Sequence, residues 1–466
     1  MRVLVTGATG YIGGRLIPRL LRNGHHVRVL VRDARRVRSK PWAGQVEVHE
    51  GDLLDATSLT ELCDGIEVAY DLVHSMSSAG SQFEDRDRIA ARNFVSAAGA
   101  LSKVVYLGGL APSGSPGSHL RSRMEVGEML RAHLPTTEFR AGPIVGSGSA
   151  SFEMVRYLTE RLPAMIAPRW ILNRVSPIGI RDVLAYLQRS LELPACGVVD
   201  VGADALTFRE MMIGYARHRG LKRLIVPVPI LAPGLAARWV GLVTPIPNYL
   251  AVPIIAGMTS ELVADTTLAE RLFPDIQPAP YADTVELAAI RTRQLEVETR
   301  WSDALGSGLA TDFADREGMF RESRSLFVPV TPSKAWESIT GLGGERGWLF
   351  WNSLWRVRGL LDRIVGGPGL RRGRRHPTQL ATGDSLDFWR VEDANAPHNL
   401  LLRAEMKLPG RAWMKWETQP EQEGTRISMS AYFEPKGLLG VLYWKSLTLI
   451  HRFMFTGLIK AVARTS

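Results

Sequence analysis

Short apolar runs alternate with helical patterns over the first third of the chain. Buried-strand patterns occupy residues 2–6, 27–31, 46–49, 68–73 and 104–107. Stretches of about ten or more residues lie between most of them, and residues 13–23 place their apolar side chains on one helical face. Strands that alternate with helices predict an α/β fold built on a doubly wound parallel sheet.

The middle of the chain is less regular. Helices are predicted over 149–162 and 180–191, and the segment 225–258 is strongly apolar, with Arg238 as its one charged residue. A membrane-spanning helix needs about 20 apolar residues in a row, and prolines divide this segment into shorter pieces. We therefore expect a buried or cavity-lining segment, and shallow membrane contact stays open.

A polar stretch over 303–315 predicts a domain boundary, so that the domains are 1–315 and 316–466. The second domain shows strand patterns at 324–330, 385–391, 400–408, 412–417 and 426–433. A short helical pattern lies at 332–339. Its last element, 438–463, reads as one long helix with a narrow polar stripe and a wide apolar face. An antiparallel sheet that grips this helix would form an α+β domain.

Charge and aromatic residues separate the same two parts. The 466-residue chain has a net charge of +10, and residues 317–466 hold 22 Lys+Arg against 14 Asp+Glu, together with eight of the twelve tryptophans. Two cysteines exclude a disulfide framework and a cysteine-rich metal site. The sequence starts without a signal-peptide pattern, so we expect a cytoplasmic location.

The glycine-rich turn after the first strand carries the clearest chemistry. Gly7 permits a tight turn, Gly10 lets a pyrophosphate approach the backbone, and Gly13 permits close packing of helix on strand. The helix that follows offers backbone N–H groups to phosphates. The predicted dinucleotide-binding residues of this turn are Thr6, Gly7, Thr9, Gly10, Tyr11, Ile12 and Gly13.

Cofactor choice depends on the end of the second strand. NAD-binding proteins usually have an acidic residue there, whereas this chain has Val31 followed by Arg32, with Arg35 or Arg36 in support. Arginine suits a 2′-phosphate, so the sequence favours NADP(H) over NAD(H), although the adjacent Asp33 argues the other way.

The third and fourth strands end in further candidate residues. Asp52 and Leu53 follow the third strand, where a carboxylate can meet the adenine edge. His74 follows the fourth strand, near the expected position of the nicotinamide ribose, or is an ordinary loop residue.

Residues 1 to about 300 resemble an atypical short-chain dehydrogenase/reductase of the NmrA-like, extended kind, with a Rossmann-type sheet. The motifs that carry the resemblance are TGATGYIG, VRVLVRD, GDLLD, FRAGPIVG at 139–146 and SPIGIRDV at 176–183. The resemblance implies that 139–146, which includes Arg140, lies behind the nicotinamide, and that 176–183 lies on the substrate side.

The catalytic pattern of that family is altered. The resemblance implies a Tyr-x-x-x-Lys pair and a Ser or Thr after the fifth strand, but this chain has His119-x-x-x-Arg123 and Gly108-Gly109. Two interpretations remain open. His119 acts as a general acid and Arg123 holds the ribose, or both are surface residues of a helix beside a site that only binds cofactor.

Residues 318–466 resemble an uncharacterised domain found fused to such reductases, similar in outline to the START/SRPBCC helix-grip fold. The motifs are GLGG, LWRVRG, GLRRGRR, LDFWRV and AEMKLPG. The aromatic and methionine residues that either line an apolar cavity or form core are Trp389, Trp413, Met414, Trp416 and Phe433. The arginine-rich loop 371–376 has no accompanying nucleic-acid signature, so we expect a solvated loop or one that binds Asp384, Asp387 or an acidic ligand.

Together these features predict an NADP(H)-dependent oxidoreductase that acts on a hydrophobic small molecule. The alternative is an NAD(P)-binding sensor or assembly factor without turnover. We expect a small apolar ligand as partner, no nucleic acid, and at most peripheral contact with a membrane.

Overall fold

A computed structural model describes residues 1–38, 40–73, 82–99, 101–114, 116–229, 248–293, 297–299, 319–344, 346–370, 374–376, 378–435 and 437–465, and the single positions 240, 244 and 246. The chain divides into two compact units, Met1–Leu305 and Gly306–Ser466, here called unit 1 and unit 2. The boundary predicted at residue 315 lies outside the described residues.

Unit 1 contains thirteen strands in its described part. They are β1 (Arg2–Val5), β2 (His26–Val31), β3 (Val46–Glu50), β4 (Val68–Asp71), β5 (Lys103–Gly109), β6 (Thr136–Ala141), β7 (Ile144–Val145), β8 (Ala164–Pro168), β9 (Arg174–Val175), β10 (Ile178–Gly179), β11 (Gly197–Val201), β12 (Leu206–Thr207) and β13 (Leu224–Val228). Seven of them form one parallel sheet in the order β11-β6-β5-β4-β1-β2-β3, which confirms the predicted parallel sheet.

The α-helices described in unit 1 connect these strands. They are α1 (Gly13–Arg22), α2 (Arg35–Arg38), α3 (Gln82–Ala97), α4 (Ser118–His133), α5 (Ala150–Arg161), α6 (Ile180–Arg189), α7 (Phe208–His218), α8 (Asn248–Gly257), α9 (Thr267–Leu272) and α10 (Tyr281–Arg293). Short 3-10 turns lie at Ala43–Gln45, Ala56–Leu59, Arg169–Leu172 and Ser190–Glu192.

Alternate side chains of the parallel strands enter two separate cores. Val3 and Val5 of β1 pack with α1 and α6 on one face of the sheet. Leu4, between them, packs with α3 and α4 on the other face. Successive residues of a strand point to opposite faces, so a strand covered on both sides has a continuous apolar sequence.

A third apolar cluster lies beyond the sheet. It combines residues of α5, α7, α8 and α10. Ala251 and Ile255 of α8 are buried in it, so the described end of the apolar segment 225–258 is part of the core, as expected. Much of that segment, 230–239 above all, lies outside the described residues.

Unit 2 is an antiparallel sheet with three described helices. The strands are β14 (Phe320–Val328), β15 (Ser385–Leu386), β16 (Trp389–Asn395), β17 (Asn399–Ala404), β18 (Gly410–Glu421) and β19 (Gly424–Pro435), and the helices are α11 (Pro332–Thr340), α12 (Asn352–Ile364) and α13 (Gly437–Thr465). The strand order is β14-β19-β18-β17-β16-β15, and α13 contacts β14, β19 and α11. The predicted strand 385–391 is divided because Asp387 adopts a positive φ of 54°.

The five residues of unit 2 that were expected either to line a cavity or to form core, Phe433 among them, are all buried, as the core alternative predicts. Trp389, Met414 and Trp416 belong to the buried core of the unit, and Trp413 joins a small cluster with Tyr432. The prediction for α13 was wrong in part, since Leu442, Leu449, Ile450 and Phe453 are exposed and the solvent-facing side of the helix is therefore broad and apolar. None of the helices in the described part of the chain combines the length and apolar character that a membrane crossing requires.

Candidate functional site

A cavity of about 410 Å³ opens at the carboxyl ends of the parallel strands of unit 1. Its walls include residues that follow β1, β2, β3, β4, β5 and β6. In a sheet of this topology, ligands bind outside the carboxyl ends of the strands where the strand order reverses. The predicted residues that line it are Gly7, Thr9, Gly10, Tyr11, Ile12, Gly13, Arg32, Asp52, Leu53, His119 and Arg123.

The glycine turn has little room for side chains. Gly7 has a φ of +67°, and a Cβ there would lie 2.7 Å from the carbonyl oxygen of Leu72. A Cβ on Gly13 would collide with the carbonyl oxygen of Gly7. The turn is closed by the Gly10 N–H, which donates to the Gly7 oxygen at 2.9 Å. The backbone therefore forms a cradle at the start of α1, where N–H groups and the helix dipole favour phosphate.

Tyr11 contributes its backbone and ring rather than an acidic hydroxyl. Burial raises the pKa of its phenol to about 12, and the Arg15 guanidinium lies 4.7 Å from the ring centroid. The ring and the cation pack together beside the turn. Tyr11 therefore stays protonated at neutral pH.

The end of β2 presents two cations to the cavity. Arg32 and Arg36 both line it. Asp33 is not among the residues that line the cavity. Its Oδ1 accepts hydrogen bonds from the backbone N–H of Arg35 at 3.0 Å and from the Arg35 Nε at 3.1 Å. The acidic neighbour that opposed the NADP(H) prediction is thus paired within its own loop.

Asp52 is fixed in place at the end of β3. Its Oδ1 accepts a hydrogen bond from the Leu54 N–H at 3.0 Å, and its own N–H donates to Ser58 Oγ at 2.9 Å. Leu53 is buried beside it. One carboxylate and one apolar side chain therefore meet at the position predicted for an adenine base.

Thr6 lies beneath the turn rather than in the cavity wall. Its hydroxyl donates to Asp71 Oδ1 at 2.8 Å and accepts from the Leu72 N–H at 3.1 Å. Burial raises the pKa of the Asp71 carboxyl to about 6. This pair joins the ends of β1 and β4, and the sequence analysis did not single out Asp71.

His119 and Arg123 are one helical turn apart on α4, and both face the cavity. The Arg123 guanidinium donates to the carbonyl oxygen of Leu107 in β5, and its buried Nε has no hydrogen-bond partner among the described residues. Burial, followed by the positive charge of Arg123, lowers the pKa of His119 to about 3. A pKa this low leaves the ring neutral near pH 7, since burial disfavours the charged form.

Like Thr6, the predicted residue Arg140 is not brought to the cavity. The Arg140 Nε donates to Glu138 Oε1 at 2.7 Å, and the following residues, Ala141 to Ile144, line the cavity instead. Alternation along β6 turns Arg140 away from its neighbour Ala141. His74 lies outside the described residues.

Several cavity residues were not predicted. Arg86, Ser149 and Ile254 line the cavity, and they come from α3, the start of α5 and α8. Ile254 belongs to the apolar segment 225–258, which was expected to line a cavity. Neither Arg86 nor Ser149 belongs to a motif, so no sequence signal identified them.

The lining fits a dinucleotide cofactor. Four arginines and one aspartate line the cavity, a balance that suits the phosphates of NAD(P). The cradle at Gly7 and Gly13 has no space for a Cβ, and the Arg123 Nε is a buried donor without a partner among the described residues. Such a donor is costly unless a ligand oxygen satisfies it.

Comparisons with known proteins agree with this geometry. A family model described as NAD(P)H-binding matches residues 7–134, and a model described as a protein of unknown function matches residues 316–458. The ceramide reductase of Caulobacter vibrioides is 31% identical over 238 residues, which are 49% of this chain and 73% of that protein. A 3 beta-hydroxysteroid dehydrogenase/Delta 5-->4-isomerase of Mycobacterium tuberculosis is 36% identical over 95 residues, 20% of this chain and 25% of that protein.

The fold of unit 1 also matches solved structures. A protein of Burkholderia cenocepacia J2315 assigned as an epimerase superposes with a TM-score of 0.50 at 17% identity, over 63% of this chain and 98% of that chain. At this identity the match concerns the fold alone. Unit 1 is an NAD(P)-binding, Rossmann-type unit. The chain is related to the Caulobacter ceramide reductase. It belongs to the same family of short-chain dehydrogenase/reductase-like proteins.

Proposed function

We propose that this chain is an NADP(H)-dependent oxidoreductase that acts on a hydrophobic small molecule. The observation that carries the proposal is one continuous cavity. By the strand order, the glycine cradle and Arg32 lie towards β2, and His119 and Arg123 lie towards β5 and β6. Apolar side chains of Leu72, Ile144 and Ile254 share the same lining, which suits an apolar substrate beside a dinucleotide.

The choice of NADP(H) rests on charge at the end of β2. Arg32 and Arg36 line the cavity there, and Asp33 is engaged by Arg35. A planar guanidinium matches the oxygens of a 2′-phosphate and pairs with them through charge-assisted hydrogen bonds. With NAD(H), the same guanidinium would contact an uncharged ribose hydroxyl, and the contact would contribute less to the binding free energy.

The chemistry proposed for this chain does not need a charged histidine. The bound nicotinamide would supply or accept the hydride. His119, neutral because its pKa is lowered to about 3, would donate an N–H hydrogen bond to the substrate oxygen, as a neutral imidazole does elsewhere. The Arg123 Nε would stabilise negative charge on that oxygen or hold the ribose, and water would supply the proton that completes a reduction, or take it up in an oxidation.

The names of the relatives support a lipid-like substrate. Ceramide and a 3 beta-hydroxysteroid, named in the two matched proteins, are both large apolar molecules with hydroxyl groups. We propose an amphiphilic alcohol or ketone as the substrate class. We also propose that unit 2 is helix-grip-like, because α13 packs on β14 and β19.

One observation favours a second candidate, an NAD(P)-binding sensor without turnover. Strand β5 ends in Gly108-Gly109, so no hydroxyl stands where the family has a serine or threonine. The low pKa of His119 removes a proton donor at neutral pH as well. A protein of this kind would bind the cofactor and report its redox state.

Cofactor titration and a turnover assay separate these candidates. NADPH and NADH are titrated by fluorescence, and NADPH oxidation is followed with long-chain ketones, steroid ketones, enones and quinones. Tight NADPH binding with turnover of an apolar carbonyl supports the oxidoreductase. Tight binding without turnover of any class supports the sensor, and tighter binding of NADH than of NADPH contradicts the NADP(H) assignment.

A further inference from the structure

Two helices of unit 2 expose apolar side chains to solvent. Ile364 of α12 is 68% exposed, and Leu449 and Phe453 of α13 are 71% and 64% exposed. These values are high for large apolar residues, and they recur along both helices. The set, here called the apolar face, is Trp351, Leu354, Val357, Leu360, Leu361, Ile364, Val365, Leu442, Leu449, Ile450 and Phe453.

The exposed residues of α12 share one side of the helix. Leu354, Val357, Leu361 and Ile364 are separated by three, four and three positions, the spacing of neighbours on a helical surface. The opposite side contains Trp355 and Gly359, which are buried. Helix α12 therefore has two apolar sides, one packed on the core and the other exposed to solvent.

The segments around α12 and α13 approach each other at two points. The Arg358 Nη2 of α12 lies 3.5 Å from the Tyr443 hydroxyl of α13, and Tyr443 follows the exposed Leu442. At the other end of α12, the Phe350 ring fills the space beside Gly457 of α13. Several large apolar side chains exposed along each of two helices that approach each other mark an interaction site.

Basic residues are frequent in the sequence in and around α12 and α13. Residues 346–376 contain eight arginines and one acidic residue, a net charge of +7 out of the +8 of residues 317–466. The acidic residue, Asp362, is fully buried, and its carboxylate accepts hydrogen bonds from the backbone N–H groups of Gly369 and Lys407. Helix α13 has no acidic residue at all, and Lys445 and Arg452 lie beside its exposed apolar positions.

We infer that unit 2 docks on the surface of an anionic lipid bilayer through the apolar face of α12 and α13. An apolar stripe bordered by Lys and Arg, with a Trp at its end, is the pattern of a helix that lies in the membrane interface. The basic border matches anionic headgroups. A second copy of this chain fits less well, because two such borders would repel each other.

A polar recess beside the face agrees with this occupant. A cavity of about 500 Å³ is lined by Arg356 and Arg363, by the carboxyl group of Asp387, and by Leu360 of the apolar face, so that its cations outnumber its one acidic group. Two guanidinium groups next to an apolar side chain suit a phosphate headgroup joined to acyl chains. The docking surface therefore offers contacts to both parts of a phospholipid.

The test is flotation of the full-length protein with vesicles. Vesicles of phosphatidylcholine alone are compared with vesicles of equal parts phosphatidylcholine and phosphatidylglycerol. We expect the wild type to float with the anionic vesicles and about tenfold less with the neutral ones, and 1 M salt to release it. The variant Leu361→Gln/Ile364→Gln should lose roughly tenfold or more in partitioning, and Arg356→Gln should weaken binding to anionic vesicles only.

Matched substitutions in unit 1 serve as controls. Leu224 is 62% exposed, so Leu224→Gln removes a comparable apolar side chain, and Arg217→Gln removes an exposed cation of α7. Both should float like the wild type, and NADPH titration should be unchanged in every variant. If the double variant misfolds by circular dichroism, Phe453→Gln on α13 replaces it.

Two results overturn the inference. The first is absence of the wild type from anionic vesicles. The second is flotation that the apolar-face variants leave unchanged. Light scattering on the same proteins would identify a second copy as the occupant, if the wild type is dimeric, the double variant is monomeric and neither floats.

Discussion

The Arg15 Nε donates a 2.8 Å hydrogen bond to Thr299 Oγ1, across 284 residues of sequence. The same guanidinium donates to the carbonyl oxygen of Ser147 at 2.8 Å, and the Thr299 hydroxyl donates to the carbonyl oxygen of Tyr11 at 2.8 Å. Arg15 is buried. The segment 297–299 thus holds the beginning of the helix that carries the cofactor turn.

Replacing Thr299 by valine should destabilise unit 1. The change removes the acceptor of a buried guanidinium and the donor to Tyr11, and each unmet polar group costs about 1–3 kcal/mol. We expect the free energy of unfolding in urea to fall by about 2 kcal/mol or more. In the control Thr292→Val, the lost hydroxyl bonds only the Ala288 carbonyl of its own helix, so the loss should stay below about 0.5 kcal/mol. Equal losses in the two variants would contradict a stabilising role for the hydrogen bonds of Thr299 with Arg15 and Tyr11.

Arg32 should control the preference for NADPH. Loss of a charge-assisted contact to phosphate costs about 1.5–3 kcal/mol, so the Kd of Arg32→Ala for NADPH should rise by about tenfold to a hundredfold. The Kd for NADH should change by less than about threefold. Arg38→Ala is the control, since Arg38 belongs to α2 but does not line the cavity. Equal weakening of both cofactors would refute the role assigned to Arg32.

His119 should act without titrating near neutral pH. Its pKa is lowered to about 3, so kcat/KM should show no step near pH 6.5 that depends on this residue. His119→Gln keeps a side-chain donor and should retain more activity than His119→Ala, which we expect to lose about tenfold to a hundredfold. An inflection near pH 6.5 that disappears in His119→Ala would show an imidazolium instead.

Asp71 should make stability depend on pH. Its folded-state pKa is raised to about 6 from 3.8, so the folded state binds more protons than the unfolded state between about pH 4 and 6. Its favourable effect is present at low pH and is lost as pH rises through 6. Two pKa units correspond to up to about 3 kcal/mol.

Asp71→Asn measures this effect, because the amide stays neutral and its oxygen still accepts from Thr6. Relative to the wild type, the variant should be more stable at pH 8 than at pH 5, by about 1.5 kcal/mol, because roughly half of the total effect is already present at pH 5. Urea unfolding at the two pH values supplies the comparison. Asp64→Asn, at an exposed site, should show the same difference from the wild type at both pH values.

Gly13 should tolerate no side chain. A Cβ there would collide with the Gly7 carbonyl, so Gly13→Ala must displace the turn. We expect loss of detectable NADPH binding and a destabilisation of about 1–3 kcal/mol. Gly44→Ala is the matched change, since a Cβ at Gly44 meets nothing within 4 Å, and both properties should be kept.

Local patterns were enough to predict the parallel sheet and its cofactor turn. The strand–turn–helix at residues 2–23 depends on neighbours in sequence, and glycine spacing reports directly on backbone geometry. Strand positions in unit 2 were recognised for the same reason, apart from the break at Asp387. The state of His119 was missed, because a pKa depends on burial and on charges that other elements bring close.

Side-chain pairing and packing in the folded chain determined the features that the sequence did not predict. In the sequence, Asp33 favoured NAD(H), but in the structure it pairs with Arg35. The sequence also assigned Arg140 to the site, but its guanidinium binds Glu138. Periodicity marked the polar positions of α13 but not which apolar side of the helix the sheet would cover. A helix can have two apolar sides, and only packing selects the buried one.

The sequence by itself thus determined the cofactor class, the presence of a doubly wound parallel sheet and the unequal charge of the two units, since these follow from local backbone geometry and composition. The tertiary structure decided which arginines face the cavity, that His119 is neutral, and that α12 and α13 leave an apolar face in solvent. Those properties are set by burial and by contacts between residues far apart in the chain, such as Arg15 and Thr299, which no local pattern encodes.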